Sequence, residues 1–324
     1  LKRSKLYDWN IEPETPIFLA PRERRLGVRE RLDHKGNALT TLDEADVRAK
    51  VKELTEKQKV EAIAVCLLFS YLNPAHEQRV REIIATLAPD LPVSLSSDVD
   101  PEYREYERTA ITAFDAYLKP VVRHYMGRLQ EELDAQKIRA RLQIMQSRGG
   151  IISAAQAADS PVNMVLSGPA GGVAAACHIA SETGYGNLIT LDIGGTSSDV
   201  SLIVNGEATI TTETKISGYP VRTTMVDVNT IGAGGGSIAW IDSGGRLRVG
   251  PHSAGAKPGP VCYGRGGTEP TVTDASVLLG YLDPASFAMG QIHLDVAAAE
   301  RALAGLGKQL GMTAIETALG IHRV

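Results

Sequence analysis

Cysteine is scarce in this 324-residue chain, and the three that occur, Cys66, Cys177 and Cys262, are too far apart for a metal-ligand spacing. Because their number is odd, they do not indicate a disulfide framework. Such a low cysteine content is typical of proteins in a reducing cytoplasm. Aromatic residues make up 5%, and no basic stripe offsets the net charge of −4, so nucleic acid is not an expected partner. The longest apolar run, residues 62–69, is too short to span a bilayer, and no signal peptide is recognisable. We therefore expect a cytoplasmic protein without a membrane segment.

Glycine, by contrast, is abundant. Many of the 32 glycines lie between residues 149 and 267, so we expect this half of the chain to depend on backbone conformations that side chains would obstruct. The chain begins with Leu1 rather than methionine, and its last residues continue a helical pattern. These two features predict a piece of a longer polypeptide.

Alternating strand and helix patterns in the first 95 residues predict an α/β fold. Residues 1–40 are typical of an extended lead-in with a hairpin, whose turn falls at residues 34–37. A charged amphipathic helix is predicted at residues 43–57, and the apolar run at 61–70 is typical of a parallel strand covered on both faces. A helix and a second strand follow, and this order indicates α/β architecture.

The character of the chain changes near residue 96, where a helical stripe begins. Asp100 and Pro101 favour a helix start, and Pro120 is expected to end or kink that helix. Spacings of three and four residues predict that one stripe of the helix packs in the core. Its members are Tyr103, Tyr106, Ala110, Phe114 and Tyr117.

The segment LDIGGTSSDV places Asp-x-Gly-Gly-Thr-Ser-Ser between two strands that we expect to be buried. A hairpin needs only two turn residues, and this loop is longer. Adjacent glycines allow backbone N–H groups to face an anion, and the hydroxyls of Thr196 and Ser197 add donors. Asp192 would repel an anion unless a divalent cation or water lay between them, which indicates ATP-like triphosphate with Mg²⁺ (or Mn²⁺). A plain hairpin with a polar loop is the alternative interpretation.

Asp192 is therefore the candidate metal ligand, and Asp192 and Asp199, which bracket the loop, are candidate catalytic acids. The candidate nucleotide-binding residues of this first glycine loop are Gly194, Gly195, Thr196 and Ser197. The loop is not a dinucleotide fingerprint, because a strand follows it instead of a helix, and it is not a P-loop, because it has no Gly-Lys-Ser/Thr.

A second glycine loop, in TIGAGGGSIA, follows another apolar strand and strengthens the prediction of a phosphate site. Its candidate nucleotide-binding residues are Gly232, Gly234, Gly235 and Gly236. A flexible turn or bulge is the alternative for this loop taken alone. A third glycine-rich segment, SGPAGGV, begins a predicted helix, where either anion binding or close packing on a sheet would suit its glycines.

Residues 250–274 form a long stretch without periodicity, of the kind that is usually functional or disordered. Within it, we expect residues 252–274 to act as a lid for a substrate or partner, with Lys257 and Arg265 as candidates for charge neutralisation. Asp274 is a candidate base or metal ligand. Cys262 has no recognisable activating histidine and is expected to be a buried structural thiol. The last fifty residues are predicted to be largely helical.

Several ordered segments together resemble the hydantoinase A/5-oxoprolinase family. They are REYERTAITAFDAYLKP, MQSRGG, LSGPAGGV, LDIGGTSSDVSLI, TIGAGGGSIAWID and GPHSAGAKPGPVCYGRGGTEPTVTDA. The resemblance implies an actin-like ATPase fold with two ribonuclease-H-like domains. It assigns residues 1–95 to the remainder of an N-terminal hydantoinase/oxoprolinase domain and residues 96–324 to a hydantoinase A domain. Family members also carry an earlier phosphate loop that this chain lacks, so we expect the chain to be inactive alone.

The resemblance further implies ATP-driven opening of a cyclic amide such as a hydantoin, N-methylhydantoin or 5-oxoproline. It implies a second, hydantoinase B-type subunit or a fused domain, and an oligomer. Three other functions stay open on this fold: an acetone-carboxylase-like subunit, a small-molecule kinase and a nucleotide-gated binding module.

Overall fold

The computed structural model describes residues 18–212, 214–216 and 218–324. The predicted lead-in up to residue 17 lies outside these described residues. Among the helices of the described part, none combines the length and apolar character needed to cross a membrane.

The helices and strands of the described residues are numbered in chain order. The α-helices are α1 Glu44–Lys52, α2 Ala75–Leu87, α3 Ser96–Val99, α4 Glu105–Ala135, α5 Ala154–Asp159, α6 Ser167–Thr183, α7 Val272–Leu278, α8 Val296–Lys308 and α9 Ala314–Arg323. The strands are β1 Arg31–Leu32, β2 Ala38–Thr40, β3 Ile63–Val65, β4 Val93–Leu95, β5 Gln143–Met145, β6 Ile151–Ser153, β7 Leu188–Ile193, β8 Ser198–Val204, β9 Glu207–Ala208, β10 Ile210–Thr211, β11 Thr214–Ile216, β12 Tyr219–Val221, β13 Met225–Val226, β14 Asn229–Ile231, β15 Ser237–Ile241 and β16 Leu247–Ser253. A π-helical turn occupies Glu53–Lys57, and 3₁₀ turns occupy Arg22–Arg24, Pro161–Met164, Val261–Tyr263 and Phe287–Gly290.

The chain divides into two compact units. Unit 1 comprises the chain up to Gly171 together with Ile210–Val226, and unit 2 comprises Gly172–Thr209 and Asp227–Val324. The boundary predicted between residues 95 and 96 concerns family domains rather than compact units, and it stays a prediction.

Unit 1 contains the predicted strand–helix–strand arrangement. Strands β3 and β4 pair in parallel, and α1 and α2 pack with them around a shared apolar core. Asp43 caps α1, because its side chain accepts a hydrogen bond from the backbone N–H of Asp46 at 3.1 Å. The hairpin predicted around residues 34–37 is also confirmed, with β1 and β2 antiparallel.

Helix α4 does not start at Asp100–Pro101, and Pro120 does not end it. It begins at Glu105, after Arg104 in a left-handed conformation, and it continues unbroken through Pro120 to Ala135. Proline inside a helix removes one backbone hydrogen bond, and its ring crowds the carbonyl four residues earlier. Lys119 and Met126, on either side of Pro120, are both buried.

The predicted core stripe is wrong for its tyrosines, whereas Phe114 is partly buried and packs against a core cluster of unit 1. Tyr103, Tyr106 and Tyr117 are each 61% exposed. The buried face of the helix is instead largely polar, and its residues are Arg108, Ile111, Thr112, Asp115, Ala116 and Lys119. Spacing correctly identifies residues that share one face of a helix. The choice of face was wrong because polar side chains on the other face are buried and form hydrogen bonds or ion pairs there.

Asp115 and Lys119 illustrate that pairing. The Lys119 ammonium lies 3.4 Å from the Asp115 carboxylate, and the Ser94 hydroxyl donates a 2.7 Å hydrogen bond to the same carboxylate. Lys119 also donates to the backbone carbonyl of Val93. Burial raises the pKa of Asp115, and the neighbouring Lys119 charge opposes that rise.

Unit 2 is built on an antiparallel sheet in the order β14–β8–β7, to which β9 adds beside β8. A separate hairpin of β15 and β16 packs with helices α7, α8 and α9 around apolar side chains such as Leu303 and Ile321. The predicted helical C-terminal region is confirmed.

Strand β7 is not buried as predicted within the described chain. Ile189, Leu191 and Ile193, which share one face of β7, are all more than 60% exposed. The sequence pattern indicated a strand that is suited to burial. Whether other elements cover that strand depends on the tertiary structure.

Candidate functional site

The first glycine loop connects two paired strands of unit 2. Strands β7 and β8 run antiparallel, and their register places Asp192 directly opposite Asp199. Between them the chain turns over residues 194–197, closed by a 2.9 Å hydrogen bond from the N–H of Gly194 to the carbonyl of Ser197. The predicted strand–loop–strand unit is therefore present, with both acids at its mouth.

The two facing carboxylates create a local concentration of negative charge. Asp192 is exposed and Asp199 is half-buried, and Asp199 accepts a 2.5 Å hydrogen bond from the Thr230 hydroxyl on β14. Like charges opposite each other on a sheet are destabilising. A divalent cation would remove that repulsion, and Mg²⁺ typically binds one or two carboxylates together with phosphate and water oxygens.

The pair fits such a cation only as part of a larger ligand set. Within the described residues, no group of three or more His, Cys, Asp and Glu side chains could enclose a metal by itself. The remaining coordination positions would have to come from a ligand or from water.

The second glycine loop lies directly against the first. The N–H of Gly235 donates to the carbonyl of Gly194 at 3.0 Å, and the N–H of Gly236 donates to the carbonyl of Gly195 at 2.5 Å. A Cβ at Gly234 would lie 2.7 Å from the carbonyl oxygen of Gly194. Only glycine fits there, because the two backbones touch.

This contact separates the predicted site glycines into two groups. The amides of Gly235 and Gly236 donate hydrogen bonds to carbonyls of the first loop, and the amide of Gly234 donates to the Ser237 hydroxyl. The second loop therefore supports the first instead of offering its own amides. Gly232 lies outside this contact, with only Pro251 near its α-carbon.

Three consecutive amides of the first loop lack a protein acceptor. Among the described residues, the N–H groups of Gly195, Thr196 and Ser197 have no hydrogen-bond acceptor. Successive free amides of this kind make a concave donor surface that binds anions.

Two further segments fix the paired loops, and the sequence patterns did not single out their residues. Thr273, at the start of α7, donates both its N–H and its hydroxyl to the carbonyl of Gly235, at 2.7 and 2.8 Å. At the end of β16, the Ser253 hydroxyl lies 3.4 Å from the Thr196 hydroxyl. Neither contact has a recognisable spacing signal, since each joins distant parts of the chain.

Asp274, the third candidate acid, has contacts that suit a structural role. Its buried carboxylate accepts hydrogen bonds from the backbone N–H groups of Val261, Cys262 and Thr271 and from the Thr271 hydroxyl, at 2.7 to 3.2 Å. Four protein donors leave no open position for a metal or a substrate proton. The carboxylate instead fastens the 3₁₀ turn Val261–Tyr263 to α7.

The long loop predicted to be a lid is fastened at this turn. Cys262 is fully buried, and burial, followed by the Asp274 charge, raises the pKa of its thiol, as expected for a structural cysteine. Lys257 and Arg265 are both exposed, with the Arg265 guanidinium 5.8 Å from the Tyr263 ring centre. Among the described residues, no hydrogen bond or ion pair joins either cation to the glycine loops.

Two family models match the chain. The hydantoinase/oxoprolinase model matches residues 108–324, and the hydantoinase/oxoprolinase N-terminal region matches residues 1–88. Among curated relatives, the caprolactamase subunit alpha of Pseudomonas jessenii is 40% identical over 94% of this chain and 44% of its own length. The 5-oxoprolinase 1 of Arabidopsis thaliana is 37% identical over 96% of this chain and 25% of its own length.

Two solved structures share the fold. The crystal structure of ATP-dependent caprolactamase from Pseudomonas jessenii has a TM-score of 0.76 at 38% identity, covering 97% of this chain and 45% of that one. A nucleotide-free structure of acetone carboxylase, an enzyme of ATP-dependent acetone carboxylation, has a TM-score of 0.74 at 31% identity, covering 91% of this chain and 42% of that one. The present chain thus spans less than half the length of each of these relatives. The predicted α/β, actin-like ATPase fold is confirmed, and the chain belongs to the hydantoinase/oxoprolinase family.

Proposed function

We propose that this chain supplies the nucleotide-binding loops of an enzyme that uses ATP to open a cyclic amide. The observation that carries the proposal is the set of three unbonded amides at Gly195, Thr196 and Ser197, on the loop that joins the strands of the facing Asp192–Asp199 pair. A donor surface beside two carboxylates matches the needs of a triphosphate and its divalent cation together. The ATP-dependent relatives support the same assignment.

In this proposal each residue of the first loop has a defined task. The amides of Gly195, Thr196 and Ser197 donate to phosphate oxygens, and Gly194 closes the turn that presents them. Asp192, with Asp199 beside it, holds Mg²⁺ or Mn²⁺ directly or through water. The cation supplies neutralisation of phosphate charge when bound.

The second loop and Asp274 act through the first loop. Gly234, Gly235 and Gly236 position the first loop by direct backbone contact, and Gly232 ends the strand that leads to them. Asp274 holds the segment that follows. Lys257 and Arg265 remain proposed contacts of a substrate or partner.

ATP is needed because an amide carbonyl is a poor electrophile at neutral pH. Transfer of the γ-phosphoryl group of ATP to the carbonyl oxygen activates the carbonyl carbon for addition of water. The C–N bond of the ring then breaks, the nitrogen leaves as the amine, and the acyl phosphate that remains is hydrolysed by a second water to the ring-opened acid and phosphate. The protein contributes positioning and charge neutralisation to this chemistry rather than a covalent step. The substrate class that the relatives support comprises lactams such as 5-oxoproline and related hydantoins.

We further propose that the enzyme works with a second subunit of the hydantoinase B type, or with a fused domain, in an oligomer. The relative from Pseudomonas jessenii is itself named as a subunit. A ketone-carboxylating enzyme is the second candidate function, because the acetone carboxylase structure matches almost as well as the caprolactamase structure.

Phosphate release from ATP by the intact protein with its partner subunit tests both candidates. Stimulation by 5-oxoproline or hydantoin, with formation of the ring-opened acid, supports amide opening. A requirement for ketone and bicarbonate supports the carboxylase instead. A stable phosphorylated product, or stimulation by peptides alone, would contradict both.

The matched variants are Asp192→Ala and Glu207→Gln. Glu207 is an exposed acid on the neighbouring strand β9 of the same unit. We expect Asp192→Ala to lower magnesium-ATP affinity by at least about tenfold and Glu207→Gln to leave it unchanged. Equal affinity in wild type and Asp192→Ala would remove Asp192 from the site.

A further inference from the structure

Unit 1 contains a small polar cavity, and none of its lining residues belongs to the glycine loops. The Arg148 pocket, as we name it, has a volume of about 170 Å³ and is lined by Gln146, Arg148, Asn163, Thr223 and Thr224. It involves the MQSRGG segment, which none of the roles proposed above uses.

Three segments of unit 1 are tied together to form the pocket. Ser147 is buried, and both its N–H and its hydroxyl donate to the carbonyl of Asn163 at 2.7 Å. The carbonyl of Ser147 accepts a 2.8 Å hydrogen bond from the N–H of Val226. Since Ser147 lies between two of the lining residues, this network fixes the turn after β5 against the other two segments.

The turn that carries Arg148 is itself closed by hydrogen bonds. The N–H of Gln146 donates to the carbonyl of Gly150 at 2.7 Å, and the N–H of Gly149 donates to the carbonyl of Gln146 at 3.0 Å. Gly149 has a φ of +87°, a conformation that glycine adopts without strain. Arg148 is thus presented from a rigid turn.

Both side-chain amide oxygens of the pocket accept hydrogen bonds, whereas most of its side-chain N–H groups have no acceptor among the described residues. Oε1 of Gln146 accepts from Nε of Arg148 at 3.1 Å, and Oδ1 of Asn163 accepts from the Thr223 hydroxyl at 3.3 Å. This leaves the two side-chain NH₂ groups of these amides and the terminal nitrogens of Arg148 without a partner among the described residues. The pocket therefore offers mainly hydrogen-bond donors.

The charge and the volume of the pocket further restrict which ligands it can bind. Arg148 is the charged residue of the lining, and no carboxylate is among the lining residues. The guanidinium fork matches the two oxygens of a carboxylate. The volume is below the roughly 300–1,000 Å³ of pockets that hold drug-sized ligands, so the ligand is a small molecule or one end of one.

We propose that the Arg148 pocket binds the carboxylate of a small organic acid, with Arg148 as the residue that recognises it. This inference rests on the proposed function, which it deepens: within the lactam class it selects those that carry a carboxylate, such as 5-oxoproline. Caprolactam and hydantoin have no carboxylate for Arg148 to bind.

Calorimetric binding to the intact protein in the absence of nucleotide tests the pocket. The probes are 5-oxoproline, 2-pyrrolidinone, which is the same ring without the carboxylate, and inorganic phosphate. We expect 5-oxoproline to bind at least about tenfold more tightly than either of the others. Equal binding of 2-pyrrolidinone, or tighter binding of phosphate, would overturn the carboxylate assignment.

The matched variants are Arg148→Gln and Arg141→Gln, which both neutralise an exposed arginine of unit 1. Arg148→Gln should abolish the preference for 5-oxoproline over 2-pyrrolidinone, and Arg141→Gln should keep it. Thr224→Val, at an exposed lining position, provides a second test and should weaken 5-oxoproline binding without unfolding the protein. Retention of the full preference in Arg148→Gln would exclude Arg148.

The outcome is distinguishable from failure of the proposed function. If 5-oxoproline binds through Arg148 but no cyclic amide stimulates phosphate release, the carboxylate pocket is supported and the amide-opening function is contradicted. If cyclic amides stimulate phosphate release equally in wild type and Arg148→Gln, and 5-oxoproline binding is also unchanged, the amide-opening function is supported and the carboxylate pocket is contradicted.

Discussion

The backbone N–H of Gly235 lies 3.0 Å from the carbonyl oxygen of Gly194 and donates a hydrogen bond to it. This bond joins two glycine loops that are distant in the sequence. It also makes the second loop a support, because amides that bond the first loop cannot bind phosphate. The two loops are therefore expected to respond differently to the same substitution.

Gly234→Ala should destabilise the protein, whereas Gly195→Ala should chiefly affect ligand binding. A Cβ at Gly234 would meet backbone atoms of the first loop at 2.7 to 2.9 Å, while a Cβ at Gly195 would meet nothing within 4 Å. We expect Gly234→Ala to lower the free energy of unfolding by about 1–3 kcal/mol, measured by urea titration. Gly195→Ala should keep that free energy within about 0.5 kcal/mol and weaken nucleotide binding.

Gly305→Ala is the control for glycine replacement in unit 2. Gly305 lies in the exposed face of α8 with open space around its α-carbon, and alanine there should stabilise by about 0.5–1 kcal/mol. Unfolding free energies that are equal for Gly234→Ala and Gly305→Ala would contradict the packing of the two loops.

Asp192→Asn should have opposite effects on stability with and without magnesium-ATP. Without ligand, the substitution removes one of two facing carboxylates and should stabilise by about 0.2–1 kcal/mol. With magnesium-ATP, the wild type should gain more stability, because a ligand that binds the native state stabilises it more strongly the higher its affinity. Thermal unfolding with and without magnesium-ATP measures both effects.

Asp199→Asn is the informative comparison for that experiment. It removes the same repulsion but also weakens the hydrogen bond from Thr230, so its gain in stability without ligand should be smaller. An identical shift of the melting temperature by magnesium-ATP in wild type and Asp192→Asn would argue against a cation at Asp192.

The exposed tyrosine stripe of α4 gives a direct test of which helix face is buried. Tyr106 is 61% exposed and Ile111 is 0% exposed on the same helix. Tyr106→Ser should change the free energy of unfolding by no more than about 0.5 kcal/mol, and Ile111→Ala should lower it by about 2–5 kcal/mol. Urea titration of both variants measures these free energies of unfolding. A larger loss of stability for Tyr106→Ser than for Ile111→Ala would show that the tyrosine face is the buried one.

The buried Asp115 should make stability depend on pH in a defined direction. Burial raises its pKa in the folded protein above the usual 3.8, so the folded state binds the proton more tightly than the unfolded state does. This contribution to stability is full below pH 3.8 and is lost as the pH rises from there through the raised pKa. Asp115→Asn has no such titration.

The measurement is the free energy of unfolding of wild type and Asp115→Asn at a series of pH values from about 3 upward. Subtracting the variant removes the contribution of the other carboxyl groups. The wild type should lose stability relative to Asp115→Asn as the pH rises through this window. A difference that stays constant or moves in the opposite direction would contradict the raised pKa.

The sequence by itself determined the local elements and the family. The strand–helix–strand order before residue 95, the hairpins, the glycine loop after Asp192 and the C-terminal helices all follow from patterns within short segments. Such patterns are reliable because the periods of helices and strands and the turn preferences of glycine arise from local chain geometry.

Only the tertiary structure decided which faces are buried and which polar groups are free. Apolar spacing predicted burial for both Tyr106 on α4 and Leu191 on β7, yet both side chains are exposed. Likewise Gly195 and Gly235 look equivalent in the sequence, but one amide is free and the other is bonded to Gly194. Burial and hydrogen bonding depend on residues that are far away along the chain, so a local pattern cannot contain them.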